Sequence, residues 1–257
     1  MNTHHPILEV KDLRITFYAY QKVMKKKITG VSQLYATLKA GEILTVAGAS
    51  GAGKSLLASA LLGILPTHAK VEGSLIFKGE TLTAKRIRTL RGKEIAYIPQ
   101  SISALDPLMR VGTQMGKVAL ALLPRYGLDK EIEGMYPHQL SGGMARRVLI
   151  ACAAGSDASL IVADEPTAGL NEELAHEIMK HLRELANEGR SILLITHDLS
   201  LAAPYSNQVA IIENGRTIEV LRAEDLMVGK ACHPFTRLLW DSLPENQFMK
   251  AGRRDEN

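Results

Sequence analysis

Gly48-Ala49-Ser50-Gly51-Ala52-Gly53-Lys54-Ser55 fits the pattern G-x-x-x-x-G-K-[ST], set between an apolar run and a helix-forming one. Glycines there let backbone N–H groups turn inward around phosphate oxygens. Lys54 neutralises the β/γ oxygens, Ser55 offers a hydroxyl to Mg²⁺, and the helix start adds positive potential. Such a loop binds a nucleoside triphosphate without saying which process uses it. Leu160-Ile161-Val162-Ala163-Asp164-Glu165 is an apolar run closed by two adjacent carboxylates. Asp164 at the strand end can hold Mg²⁺ through water, and Glu165, pointing elsewhere, can polarise a water in line with the γ-phosphate. The run at 192–196 ends at His197, a second polar group able to sense that phosphate. Leu140-Ser141-Gly142-Gly143-Met144 opens a helix whose small residues expose N–H groups to an anion. The phosphates held by 48–55 are already surrounded, so this second anion site makes sense if it serves a nucleotide on a partner subunit.

An alternation of short β-rich runs with longer helical ones must position these groups, the pattern of an α/β domain with a largely parallel sheet. Strands are expected at 7–10, 13–17, 43–47, 75–77, 95–98, 160–163, 192–195 and 209–212. The runs at 43, 160 and 192 are continuously apolar, as strands covered on both faces are, and should form the sheet centre. Glu213-Asn214-Gly215-Arg216 predicts a hairpin, since Asn-Gly supplies two positive-φ residues. Helices are expected at 55–65, 142–153 and 172–187, the last stopping near Gly189. Between Pro99 and Ser141 the β signal vanishes and 112–123 reads as helix, so this stretch is a small helical insertion. A helical tail through 235–243 precedes a charged, frayed end. The basic run 21–27 reads as a solvated loop, with a lipid-phosphate contact as the alternative.

The whole chain supports this reading. Its 257 residues carry 31 Lys+Arg against 27 Asp+Glu, 46% hydrophobic and 23% charged residues, which excludes disordered, collagen-like and coiled-coil classes. The longest stretch free of Asp, Glu, Lys and Arg is 15 residues, 55–69, below the about 20 a membrane-spanning helix needs. No secretory signal is expected from Met1-Asn2-Thr3-His4-His5-Pro6, and a frayed end is the reading preferred over metal binding by His4 and His5. Cys152 and Cys232 make no disulfide framework and fit a reducing cytosol. A net charge of +4 does not argue for nucleic acid, and no such partner is expected.

The phosphate loop at 48–55, Gln100 after a strand, the 140–144 element, 160–165 and His197 together resemble ABC-type ATPase subunits in order and spacing. The resemblance runs from about residue 7 to 243. It implies an α/β fold with a P-loop NTPase (RecA-like) core, a mostly parallel sheet, an N-terminal antiparallel β part and a small helical insertion. Its divisions would be 1–99 and 151–222 for the ATPase core, 100–150 for the helical subdomain and 223–257 for a C-terminal extension. ATP and Mg²⁺ are the implied ligands. Gly48, Ala49, Ser50, Gly51, Ala52, Gly53, Lys54 and Ser55 would bind ATP, and Ser55, Gln100 and Asp164 would serve Mg²⁺, with Gln100 as the metal-sensing glutamine. Glu165 would be the general base, His197 the switch histidine, and Lys54 their catalytic companion. Ser141, Gly142, Gly143 and Met144 would be the signature sequence that closes over ATP held by the opposing subunit. Phe17 lies where the family places the aromatic that stacks on adenine. Tyr18 and Tyr20 compete for that role, and a buried core aromatic is the alternative for Phe17.

Tyr136-Pro137-His138-Gln139, Ala104-Leu105-Asp106-Pro107 and His233-Pro234-Phe235-Thr236-Arg237 resemble peptide/nickel importers. Gly53-Lys54-Ser55-Leu56, Leu62-Gly63-Ile64-Leu65-Pro66 and Met144 resemble the nickel-type ATPase more than the peptide-type ones. The implied protein is an ABC-type translocase subunit, peripheral on the cytoplasmic face of the cell membrane, energising uptake of nickel or another transition metal, free or chelated. The alternative is a di- or oligopeptide importer. Implied partners are two membrane permease subunits, a paralogous ATPase subunit or a second copy, and an extracytoplasmic solute-binding protein. A soluble ABC-type ATPase of DNA repair or translation is the competitor from another class, and it would carry coiled coils, tandem cassettes or basic tails. Three departures stand out. Gln100 to Ser141 spans 41 residues, a short interval that points to a missing helix. Asn171 stands where the family usually has Asp, which is either harmless drift or a change in communication between ATP sites. Cys232 stands alone, so no iron–sulfur site is expected, and Cys152 reads as packing.

Overall fold

The computed structural model describes residues 6–21 and 24–243. Its strands are β1 (Pro6–Gln21), β2 (Met24–Lys39), β3 (Ile43–Gly48), β4 (Ala69–Phe77), β5 (Glu80–Thr81), β6 (Ile95–Ile98), β7 (Leu160–Asp164), β8 (Ser191–Thr196), β9 (Gln208–Glu213) and β10 (Arg216–Arg222). They lie in the order β5-β4-β1-β2-β10-β9-β3-β8-β7-β6. The run β9-β3-β8-β7-β6 is parallel, and β1, β2, β4 and β5 pair antiparallel beside it. The expected α/β core with an antiparallel N-terminal part is therefore present.

β3, β7 and β8 are adjacent and buried along their whole length, as their continuous apolar runs require. Successive side chains point to opposite faces. Leu160, Val162, Leu193 and Ile195 enter one core with Leu57 and Leu61, whereas Ile161, Ala163, Ile192 and Leu194 enter another with Val148 and Ile178. The buried polar residues on these strands are partnered: Thr45 meets Ser206, Ser191 accepts the Gly41 N–H, and Thr196 and Asp164 sit at the strand ends.

The helices are α1 (Lys54–Leu62), α2 (Ala84–Leu90), α3 (Val111–Gln114), α4 (Lys117–Ala121), α5 (Gly142–Ala154), α6 (Glu172–Asn187), α7 (Leu199–Ala202), α8 (Ala223–Met227) and α9 (Pro234–Asp241). On α6, Ala175, Ile178, Met179, Leu182, Leu185 and Ala186 form one buried stripe at helical spacing, each large side chain contributing about 1.5–3 kcal/mol. The Asn171 side chain accepts the Leu174 N–H at its start, and Gly189, at φ 96°, follows its end.

Several sequence expectations need correction. The strands expected at 7–10 and 13–17 are one strand with a register shift between Val10 and Leu13, where Asp12 takes φ 48°. The basic run expected as a loop lies outside the described residues at 22 and 23, but from Met24 onward it is strand, paired with the end of β1. No strand was expected across 24–39, because a register shift between Val31 and Leu34 breaks the two-residue alternation that Leu34, Ala36 and Leu38 keep. The helix expected at 112–123 divides into α3 and α4 followed by a 3-10 turn, with Met115 and Gly116 extended between them. α1 stops at Leu62 rather than 65 because Gly63 turns left-handed and its N–H returns to Ala60.

Candidate active site

The sharp exit from β3 depends on two glycines, the two that the loop pattern fixes. A Cβ on Gly48 would stand 2.0 Å from the carbonyl oxygen of Ile212, and one on Gly53, at φ 95°, would stand 2.8 Å from that of Gly30. The loop is thus pressed between β9 and β2. Its turn delivers Lys54 into a site where only 7% of the residue is exposed. Nζ donates to the carbonyls of Gly48 at 2.7 Å and Ala49 at 3.0 Å. Burial pulls the pKa of this amine down, against the upward influence of Glu165 and Asp164.

Asp164 closes β7 in the same region. Its carboxylate accepts a hydrogen bond from Ser55 Oγ at 3.1 Å, and burial raises its pKa. The Tyr97 hydroxyl is close enough to feel the same carboxylate, and burial, reinforced by that negative charge, pushes the phenol up to about 12. A hydroxyl beside a carboxylate is the hard oxygen donor pair that Mg²⁺ selects, so Ser55 and Asp164 fit this ion.

Glu165 turns the other way. It adopts φ 47°, a left-handed conformation costly for a residue with a Cβ, and its N–H bonds the Ile195 carbonyl at 2.8 Å. This bend separates the two neighbouring carboxylates. Glu165 Oε2 lies 2.8 Å from His197 Nδ1 and accepts from Thr196 Oγ1 at 3.4 Å.

Ser50, Gly51, Gly53, Lys54, Ser55, Gln100, Glu165 and His197 line one open cleft of about 490 Å³, with Leu56 on its wall. Residues from four separate stretches of sequence therefore share one opening, and Asp164 reaches it through Ser55. Phe17 does not line the cleft. It packs half-buried against the core, with its ring 5.8 Å from that of His68. Space for a side chain at Gly30 is filled by Phe17 and Leu56 together, so Phe17 stands just behind the cleft wall. Tyr18 is half-buried on the same strand, and the Tyr20 side chain lies outside the described residues.

The 140–144 element is also separate from the cleft. Ser141 Oγ caps α5 by accepting the Met144 N–H at 3.2 Å. Ser141 and Gly142 are exposed, Gly143 faces Leu174 so closely that a Cβ would stand 2.5 Å from it, and Met144 leans on the core. An exposed helix start outside the chain's own cleft suits contact with another subunit. Cys152, further along α5, packs against that core, and burial pushes its thiol up to about 11.

Sequence reasoning missed Tyr97, Thr196 and Arg146. Thr196 directly precedes His197 and Tyr97 lies on a recognised strand, but only the fold shows which face each takes. Arg146 is a cation among apolar neighbours on α5, and its guanidinium donates to the carbonyls of Pro99 at 2.5 Å and Gln100 at 2.8 Å.

Comparison with known proteins bears on the family and the fold. The family profile described as ABC transporter matches residues 31–168. The oligopeptide transport ATP-binding protein OppD of Haemophilus influenzae is 36% identical, over 93% of this chain and 80% of its own length. Its counterpart in Salmonella typhimurium is also 36% identical, over 93% and 76%. The dipeptide transport ATP-binding protein DppD of Lactococcus lactis is 34% identical, over 93% and 74%. Among solved structures, a dimeric ATP-binding cassette in a post-hydrolysis state with ADP and Pi superposes with TM-score 0.72 at 24% identity, over 84% of this chain and 98% of that one. A nucleotide-free ATP-binding cassette superposes with TM-score 0.73 at 22% identity, over 92% and 99%. These two likenesses concern the fold.

Proposed function

The chain belongs to the ABC transporter family as an ATP-binding importer subunit, an ATPase coupled to transport, and from that premise we propose that it energises uptake of di- or oligopeptides. The observation that carries the catalytic part is the single cleft uniting Lys54, Ser55, Gln100, Glu165 and His197. Backbone N–H groups of 48–55 and the Lys54 ammonium bind the ATP phosphates. Ser55 and Asp164, with Gln100, would hold Mg²⁺, which when bound offsets negative charge on the phosphate oxygens. Glu165, held by His197 and Thr196, accepts the proton of the water that attacks the γ-phosphorus. His197 orients that base. Phe17, behind the Leu56 wall and outside the phosphate cleft itself, is the aromatic assigned to the adenine.

The relatives named for oligopeptide and dipeptide transport favour peptide cargo over the nickel suggested by residues 53–66 and Met144. No helix among the described residues is long and apolar enough to cross a membrane. Work on a membrane therefore needs permease subunits, and the exposed Leu108, Met109 and Val118 of the inserted segment are assigned to that contact. A solute-binding protein completes the reading, and a second ATPase subunit receives the exposed start of α5.

The test is reconstitution with the permease and binding protein in liposomes. ATP turnover should rise with short peptides and not with Ni²⁺ or its chelates. Stimulation by nickel alone would overturn the cargo, and absence of ATP binding by the purified chain would overturn the ATPase reading.

A further inference from the structure

Arg146 is 3% exposed, and burial lowers its pKa with no acidic side chain opposing that effect. Burying a cation without a counter-ion is expensive and persists only where its donors are well used. Two of them are. Nη1 and Nη2 donate to the successive carbonyls of Pro99 and Gln100, while Nε has no partner among the described residues.

The place of those carbonyls gives the contact its meaning. The ladder between β6 and β7 ends at the Ile98–Ala163 pair, and Pro99 has no N–H to extend it. Beyond that point the chain leaves the sheet and reaches Gln100, which lines the cleft. A planar guanidinium gripping two successive carbonyls through two nitrogens in a rigid fork fixes the two peptide planes that flank the Gln100 Cα, an orientation that the point charge of an ammonium does not impose. Arg146 also rides on α5, whose first residues are the exposed Ser141 and Gly142. One side chain thus joins the strand exit that carries Gln100 to the helix that carries the subunit-facing surface.

We propose that Arg146 is a positioning residue that fixes Gln100 to α5, so that the engagement of Gln100 with Mg²⁺ in this cleft and the placement of the α5 start are one coupled event. The proposal rests on the ATPase reading above.

The test uses the full chain as wild type, Arg146→Lys, Arg146→Gln, Gln100→Ala and the Arg146→Gln/Gln100→Ala double variant. Mn²⁺ affinity of the ATP-saturated protein is measured by electron paramagnetic resonance, beside metal-free ATP affinity and melting temperature. Arg146→Lys and Arg146→Gln should each weaken Mn²⁺ binding about tenfold or more, the scale for losing a residue that orients a metal ligand. Metal-free ATP affinity should stay within about twofold in both. The double variant should lose no more than Gln100→Ala alone, since coupled groups are not additive. Additive losses, or unchanged Mn²⁺ affinity in the Arg146 variants, would overturn the proposal. A second measurement leaves Arg146 intact. Mn²⁺ added to the ATP-bound wild type should slow amide exchange across 142–148, and Gln100→Ala should abolish that protection. Equal protection in both proteins also overturns the proposal. A wild type unable to bind ATP instead overturns the ATPase reading on which it rests.

Discussion

His197 Nδ1 and Glu165 Oε2 stand 2.8 Å apart, although the two residues leave the ends of different strands. β7 and β8 are neighbours in register, with Asp164 opposite Ile195, so the residues that follow each strand meet. An ionised carboxylate only accepts, which places the proton on Nδ1. Glu165→Gln keeps the shape and loses the base. Turnover should fall on the order of 10²–10⁴-fold while ATP binding survives, as read by steady-state hydrolysis beside nucleotide titration. Hydrolysis by that variant near the wild-type rate would remove Glu165 from the role of base.

Lys54 spans its own loop through two carbonyls, and ATP phosphates are stronger acceptors for a buried ammonium. Lys54→Ala should lower ATP affinity by about 10–100-fold, the equivalent of the about 1.5–3 kcal/mol typical of a charged hydrogen bond. Calorimetric titration checks this, and a cooperative melt shows whether the fold is intact.

Asp164 carries a stability cost that its function requires. Burial raises its carboxyl above the ordinary 3.8. A raised folded-state pKa contributes stability that is fully present below the unfolded value and lost as pH rises through the folded one. Asp164→Asn keeps an acceptor for Ser55 without the buried charge. Without nucleotide it should melt about 2–4 °C above wild type at neutral pH, the shift that about 1 kcal/mol gives a chain of this size. The gap should close as pH falls toward 3.8. Hydrolysis should be lost in the same variant. A wild type that melts higher than Asp164→Asn at neutral pH contradicts this account.

Asn171 has a local task at the start of α6, where its side-chain oxygen accepts the Leu174 N–H at 3.0 Å. Asn171→Ala should cost about 0.5–2 kcal/mol, seen as a lower melting temperature. Asn171→Asp preserves the acceptor, so its melting temperature and the turnover of the assembled transporter should match wild type within about twofold. A larger change in assembled turnover, with isolated ATP affinity unchanged, would show that this position carries communication between the two ATP sites.

The legible parts of the site were those whose chemistry is contiguous. Gly48 to Ser55 and Asp164-Glu165 announce themselves because one short segment holds all the relevant groups. The central strands were equally plain, since burial on both faces leaves an unbroken apolar run. β2 was hidden because a register shift sets Val31 out of step with Leu34, Ala36 and Leu38, leaving too short an alternating run to stand out. The helix expected at 112–123 failed because Met115 and Gly116 turn extended, a choice made by tertiary packing over local preference. Arg146 was invisible for another reason. A cation on a helix reads as surface until the fold brings the Pro99 and Gln100 carbonyls to meet it.

The contact between Gly48 and Ile212 has a consequence for synthesis of the chain. The nucleotide-gripping motif is fully translated by residue 55, yet β8 and β9, the strands on either side of β3, and the carbonyl that presses on Gly48 arrive much later. During synthesis the motif therefore waits for its flanking strands, and the contact that shapes the loop at Gly48 cannot form until residue 212 has been made.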